Sequence, residues 1–276
     1  MKMQQPKTVL ITGASKGIGY ELAKLFAGDL YNLVLVARNN NLLREVKNKL
    51  QQEHPDIDIE VITQDLSKPG AVREVFRKTE EKQIVIDVLV NNAGIGVFGK
   101  FYEEDFDRIS ALLHINIVAL TELTRLYLEP MVERNEGKIL NISSVAGFLP
   151  GPYMAVYYAS KAYVLSFSEA LASELSGTGV TVTTSCPGPT KTGFQQEVGS
   201  ESSFLARFHL FASAREVAED AYKALLKGKK IEIPGILNTT LVNTSRILPD
   251  KIKAGIVKKL QEVNRSDTLK QNRQEK

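Results

Sequence analysis

The chain has 276 residues, 43% hydrophobic and 24% charged, with a single cysteine, Cys186, and a formal net charge of +3. That composition suits a globular chain able to bury its own core; it excludes an intrachain disulfide and agrees with a reducing, cytoplasmic setting. The charge is uneven, with residues 246–276 carrying +5 and the rest of the chain −2, so no basic patch in the body points to nucleic acid.

Residues 1–6 are polar and run directly into an apolar strand pattern, so no signal peptide is expected. No apolar run approaches 18 residues, so no transmembrane segment is expected either. Short β-branched runs at 8–12, 33–37, 58–62, 86–90, 138–142, 180–184 and 230–233 alternate with helical patterns. The helices are predicted at 17–28, 40–52, 68–80, 103–134, 154–176 and 213–228, with Pro130 ending or kinking the long fourth one. Continuous apolar strands are those buried on both faces, and strand–helix alternation gives right-handed parallel crossovers. The expected fold is α/β: a doubly wound, mainly parallel seven-stranded sheet with helices on both faces. One domain is expected over 1–245, with a lid insertion at about 193–211 and a C-terminal extension over 246–276. In such sheets ligands bind beyond the carboxyl ends of the strands.

The first strand leads into Thr12-Gly13-Ala14-Ser15-Lys16-Gly17-Ile18-Gly19 and then a helix. Glycines there let backbone N–H groups approach a pyrophosphate, and the helix N-terminus adds partial positive charge. The second strand ends Val36-Ala37-Arg38-Asn39. An acidic residue at that position would bind the ribose 2′-hydroxyl of NAD; an arginine accommodates the 2′-phosphate of NADP. Arg38, with Lys16 in the glycine turn, therefore favours NADP(H). After the third strand, Asp65 could accept from an adenine amino group or cap a helix, with Leu66 beside it. After the fourth, Asn91-Asn92-Ala93-Gly94 is a polar turn that could line the cofactor.

Asn116 lies in an apolar helical stretch and needs partners there; capping a backbone kink is the alternative to a role in chemistry. Ser144 follows the fifth strand, where a hydroxyl can reach a carbonyl oxygen. Tyr157 and Lys161 are four apart on one helical face. Tyr153, Tyr158 and Tyr163 compete with Tyr157, but only Tyr157 has a lysine four residues on.

TGASKGIG at 12–19, NNAG at 91–94, Asn116, Ser144, YxxxK at 157–161 and PGPTKT at 187–192 occur in one order. Together they resemble the short-chain dehydrogenase/reductase family, whose fold is Rossmann-like. The resemblance implies that Tyr157 donates a proton to the substrate oxygen and that Ser144 orients that oxygen. It implies that Lys161 binds the nicotinamide ribose and lowers the Tyr157 pKa, and that Asn116 holds a relay water. It also implies cofactor contacts from Gly13, Ser15, Lys16, Gly17, Ile18, Gly19, Arg38, Asp65, Leu66, Asn92, Ala93, Gly94, Pro187, Gly188, Thr190 and Thr192.

Val97, Phe98, Phe148, Tyr153, Met154 and Phe194 flank the expected substrate pocket. The Phe-rich stretch 193–211 reads as a lid over an apolar pocket, and its Phe204, Phe208 and Phe211 equally as packing. The expected activity is NADP(H)-dependent hydride transfer to an apolar ketone or aldehyde. Oxidation of an alcohol or steroid, or a non-catalytic NADP-binding sensor or scaffold, are the alternatives. No metal is expected, because His54, His114 and His209 are scattered. Cys186 reads as a small buried apolar residue. Ile252, Ile256 and Leu260 among Lys251, Lys253, Lys258 and Lys259 describe a basic amphipathic helix. Docking on the body or across a dimer is expected of it, and contact with an anionic membrane surface is the alternative. A homodimer is expected, with a tetramer the alternative.

Overall fold

The computed structural model describes residues 6–194, 198, 212–249, 251–259 and 261. Phe204, Phe208, His209 and Phe211 of the expected lid, and Leu260 of the tail helix, lie outside the described residues.

Seven strands form one sheet: β1 (Thr8–Thr12), β2 (Asn32–Ala37), β3 (Ile59–Thr63), β4 (Val88–Asn91), β5 (Gly137–Ile142), β6 (Val180–Ser185) and β9 (Ile231–Glu232). All pairings in it are parallel, and the order is β3-β2-β1-β4-β5-β6-β9. The order reverses between β1 and β4, which opens a crevice beyond their carboxyl ends. The helices are α1 (Gly17–Gly28), α2 (Asn40–Glu53), α3 (Ala71–Glu81), α4 (Phe106–Leu113), α5 (Leu120–Glu133), α6 (Ala155–Glu174), α7 (Ala214–Leu226) and α8 (Ile236–Ile247). A last helix, α9, covers residues 251–259. One core layer joins α1, α2 and α7 to the sheet through Leu22, Phe26, Leu43, Leu50 and Leu225; the opposite layer joins α3 and α5 through Val75, Leu123, Tyr127 and Met131.

The predicted helix 103–134 is a 3₁₀ turn (Phe101–Glu103) followed by α4, a π-helical segment (His114–Ala119) and α5. Pro130 does not end it: it sits inside α5 in the last turn, where its missing N–H removes one bond just before the helix stops at Arg134. Within the 28 residues Phe106–Glu133 an 18-residue window has a mean hydropathy of 1.3, enough by length and composition alone to cross a bilayer. Its buried side chains Ile115, Ala119, Leu123, Tyr127 and Met131 belong to the core layer on the sheet. A second small sheet, β7 (Thr190–Lys191) with β8 (Ala212–Ser213), was not anticipated. It joins the two ends of the stretch that the sequence marks as a lid.

Candidate active site

Helix α1 begins without a side-chain cap and has no acidic residue in its first turn. Gly17 holds φ +60°, a left-handed backbone that keeps the turn tight. At Gly19 a Cβ would collide with the Gly13 carbonyl and with Asn92 Nδ2, so only glycine lets α1 seat on the strand ends. Asn92 Nδ2 donates to the carbonyls of Thr12 (2.9 Å) and Gly13 (3.2 Å). The Thr12 hydroxyl accepts from the N–H groups of Asn92 and Ala93, both at 3.0 Å. The two polar turns after β1 and β4 thus form one rigid floor. Beside it Thr12, Leu66, Asn91, Ala93 and Ile115 line a shallow indentation.

Lys16 and Arg38 are exposed, as is Asn39. The Lys16 side chain reaches Gly193, and Thr192 packs on Gly17. Asp65 is partly buried, which opposes its ionisation, yet its pKa is lowered by two hydrogen bonds from Ser67 and by the charge of Arg38. Asp65 therefore closes the 65–68 turn; the following helix starts at Ala71 with Gly70 as its cap. The Leu66 side chain belongs to the core.

Ser144, Tyr157 and Lys161 converge. The Ser144 hydroxyl accepts from Ala146 N–H at 3.1 Å, donates to the Pro187 carbonyl at 3.3 Å, and lies near enough to the Tyr157 hydroxyl to favour its ionised form. Burial raises the Tyr157 pKa above the ordinary phenol value, and the Ser144 hydroxyl only partly opposes this. Lys161 is 6% exposed, and burial pushes its pKa down to about 8. Its Nζ donates to the Ile142 carbonyl at 2.9 Å and lies 5.8 Å from the centre of the Tyr157 ring. Without cofactor, burial and not the amine dominates the phenol.

Asn116 is placed by the π-helical segment, and its side chain is fully engaged. It accepts from Ile95 N–H and donates to the Ile95 carbonyl and to Ser160 Oγ, each at 3.0 Å. Ser160 Oγ in turn donates to the Tyr157 carbonyl at 2.7 Å. Gly94 lies directly against Asn116 Oδ1 and Lys161 Nζ. Sequence reading missed Ser160, which bridges Asn116 to the catalytic helix, and Ser143, whose hydroxyl donates to the Lys161 carbonyl at 2.8 Å. The signal available for both was adjacency, one beside Lys161 and one beside Ser144.

The expected pocket residues also gather here. The Phe194 ring lies 5.3 Å from that of Tyr157, and Phe98 lies 6.3 Å from Tyr153. Tyr153 holds a left-handed φ of +67°, fixed in part by the Gly99 N–H bonding its carbonyl at 2.9 Å. Val97, Tyr153 and Met154 line a small cleft of about 20 Å³ with Gly99, Phe101 and Glu104. Phe148 closes a 3₁₀ turn begun at Val145. Gly188 and Thr190 lie on the next loop, where the Thr190 hydroxyl donates to the Gly188 carbonyl at 2.9 Å. Cys186 is fully buried, and burial pushes its thiol up to about 12, so it is an inert core residue. Among the described residues no cluster of metal-ligating side chains occurs.

A parallel sheet with a glycine turn after its first strand, and a serine, tyrosine and lysine meeting beyond its fifth, defines a nucleotide-dependent oxidoreductase. The chain belongs to the short-chain dehydrogenase/reductase family: the sequence profile described as short chain dehydrogenase matches residues 7–203. Among its relatives, the ketoacyl reductase HetN of Nostoc sp. is 33% identical over 228 residues, covering 82% of this chain and 77% of HetN. A short-chain dehydrogenase from Sphingobium yanoikuyae in complex with NADPH superposes with a TM-score of 0.77 at 31% identity, covering 88% of this chain and 96% of that one. A family member from Burkholderia phymatum in complex with NAD gives 0.76 at 25% identity, covering 88% and 94%.

Proposed function

We propose that the protein reduces apolar ketones, 3-oxoacyl chains among them, with NADPH. The observation that carries this is the partly buried meeting of Ser144 and Tyr157, with the Phe194 ring against that of Tyr157 and Lys161 Nζ held on the Ile142 carbonyl. The uncapped start of α1, with its left-handed Gly17 and lack of acidic residues, fits a diphosphate. Gly13 to Gly19, Asn92 to Gly94 and Thr190 to Thr192 would hold the dinucleotide. When bound, the nicotinamide supplies the hydride. Ser144 donates to the substrate carbonyl oxygen and fixes its position. Tyr157 is kept protonated by burial, which is the state a proton donor needs, and gives its proton to that oxygen as negative charge develops. Lys161 in its ammonium form stabilises the phenolate left behind and would bind the ribose hydroxyls. Phe194, Val97 and Met154 exclude water from the reacting carbon.

The choice of NADPH rests on Arg38 and Lys16, two exposed cations beside the glycine turn, in a strand end lacking any acidic residue. Each charge-assisted contact to a 2′-phosphate contributes about 1.5–3 kcal/mol. HetN's description as a ketoacyl reductase supports the substrate class. Steady-state kinetics with β-keto esters, 3-oxoacyl thioesters, aldehydes and quinones, each with NADPH and NADH, test both parts. Arg38→Asp is expected to move preference toward NADH by roughly 100-fold, one to two such contacts. Equal kcat/KM for the two cofactors in the unaltered enzyme would refute the cofactor assignment.

A further inference from the structure

The C-terminal helices α8 and α9 pack beside the crevice mouth. Helix α8 lies on the 145–148 turn that follows Ser144, and its Asn238 seats on Gly188. Beyond α9, Gln261 Nε2 reaches Met154 Sδ at 3.8 Å and its side chain bonds the Tyr158 hydroxyl. These two helices therefore dock on the body of their own chain, burying Val242 and Ser245 of α8 and Val257 of α9.

What remains outward is unusual. Ile236 is 86% exposed, Leu237 73%, Leu241 49%, Ile252 49% and Ile256 50%. At 100° per residue, Leu237 and Leu241 form one stripe on α8, opposite the buried Val242. On α9, Ile252 and Ile256 form a second stripe, with exposed Lys259 beside it and exposed Lys251 and Lys258 further round the helix on the same side. From Ile233 to Lys259 the sequence has five basic residues and one acidic one, Asp250. An exposed apolar stripe edged by long cationic side chains matches the depth profile of an anionic bilayer: aliphatic groups enter the acyl boundary and ammonium groups stay at the phosphates. The exposed Phe101, Tyr102 and Phe106 lie in a stretch with two cations, Lys100 and Arg108, against four acids, Glu103, Glu104, Asp105 and Asp107, and so lack that charge match.

We infer that α8 and α9 form a reversible docking surface for anionic phospholipid bilayers, which brings the crevice mouth to the membrane. This stands on the helices themselves and not on the substrate reading. In vesicle flotation the purified full-length protein is expected to bind phosphatidylcholine vesicles containing phosphatidylglycerol and to leave pure phosphatidylcholine vesicles unbound. Binding should fall at least about tenfold in high salt, as screening of several lysines requires. I252E/I256E and K251E/K259E should each abolish it, while turnover of a small water-soluble ketone stays unchanged and certifies the fold. Failure to float with anionic vesicles would overturn the inference, as would undiminished binding by both variants. A shift of I252E/I256E from dimer to monomer in light scattering, without vesicle binding by the parent, would assign the stripe to contact between copies instead.

Discussion

Lys161 is a cation held in a place that disfavours cations. Burial brings its pKa from 10.5 to about 8, which corresponds to roughly 3 kcal/mol against the folded state while the group is charged in both states. Below pH 8 that penalty is fully present; it shrinks as pH rises from 8 to 10.5 and is gone above. Stability from this group therefore increases with pH across that window. Lys161→Met removes the penalty but also the bond to Ile142, worth about 1 kcal/mol. Melting of the cofactor-free protein should show the variant about 1–2 kcal/mol more stable at pH 7, with the gap closing toward pH 10. A wild-type protein that outlasts the variant at pH 7 would contradict the strained amine. The same variant should have no measurable turnover. Tyr157→Phe keeps the ring against Phe194 but removes the acid, so kcat should fall about 10²–10⁴-fold with little change in cofactor affinity, read by fluorescence titration. If kcat survives, the proton comes from elsewhere.

Elements, not single side chains, set the distances in this site. Asn91 on β4 donates to Thr124 on α5 (3.0 Å) and to Asn141 on β5 (2.9 Å), and Asn141 donates to Ser168 on α6 (2.8 Å). This buried chain ties together the elements that carry Asn116, Ser144 and Tyr157. Asn141→Ala strips partners from both Asn91 and Ser168, and is expected to lower unfolding free energy by about 1–3 kcal/mol in urea titration. An unchanged midpoint would show that the chain of amides is dispensable. Periodicity made the strands and most helices legible, because most strands are short runs of apolar and β-branched residues, β3 with its Glu60 and β5 with its Lys138 departing from that. It also put Tyr157 and Lys161 on one face. It could not reveal the π-helical segment at Asn116, since one extra residue in a turn leaves hydrophobic spacing almost intact. Nor could it reveal β7 and β8, which are two residues each and pair across a long separation. The tail helix was legible as amphipathic, but that it docks beside Tyr158 depends on Gln261, a polar residue without a pattern.

At the scale of the molecule, β1 lies in the middle of the sheet, between β2 and β4, and the crevice is assembled from both halves. Among the described residues the C-terminal helices pack on the half that carries Ser144, Met154 and Tyr158. A chain ending at Gly235 should keep NADPH affinity within about threefold and raise KM for a bulky ketone about tenfold, the worth of one or two lost contacts. Equal losses in both would show that the extension supports the whole body and not the mouth alone. The central position of the earliest strand also bears on biosynthesis. As the polypeptide leaves the ribosome, β1 to β3 can pair at once, with α1 and α2 covering part of one core layer. Their other flank waits for β4, and the reactive trio waits until β6 has emerged. A stalled or prematurely released nascent chain would carry an uncovered parallel edge at β1 or β4, a surface that chaperones must shield during translation.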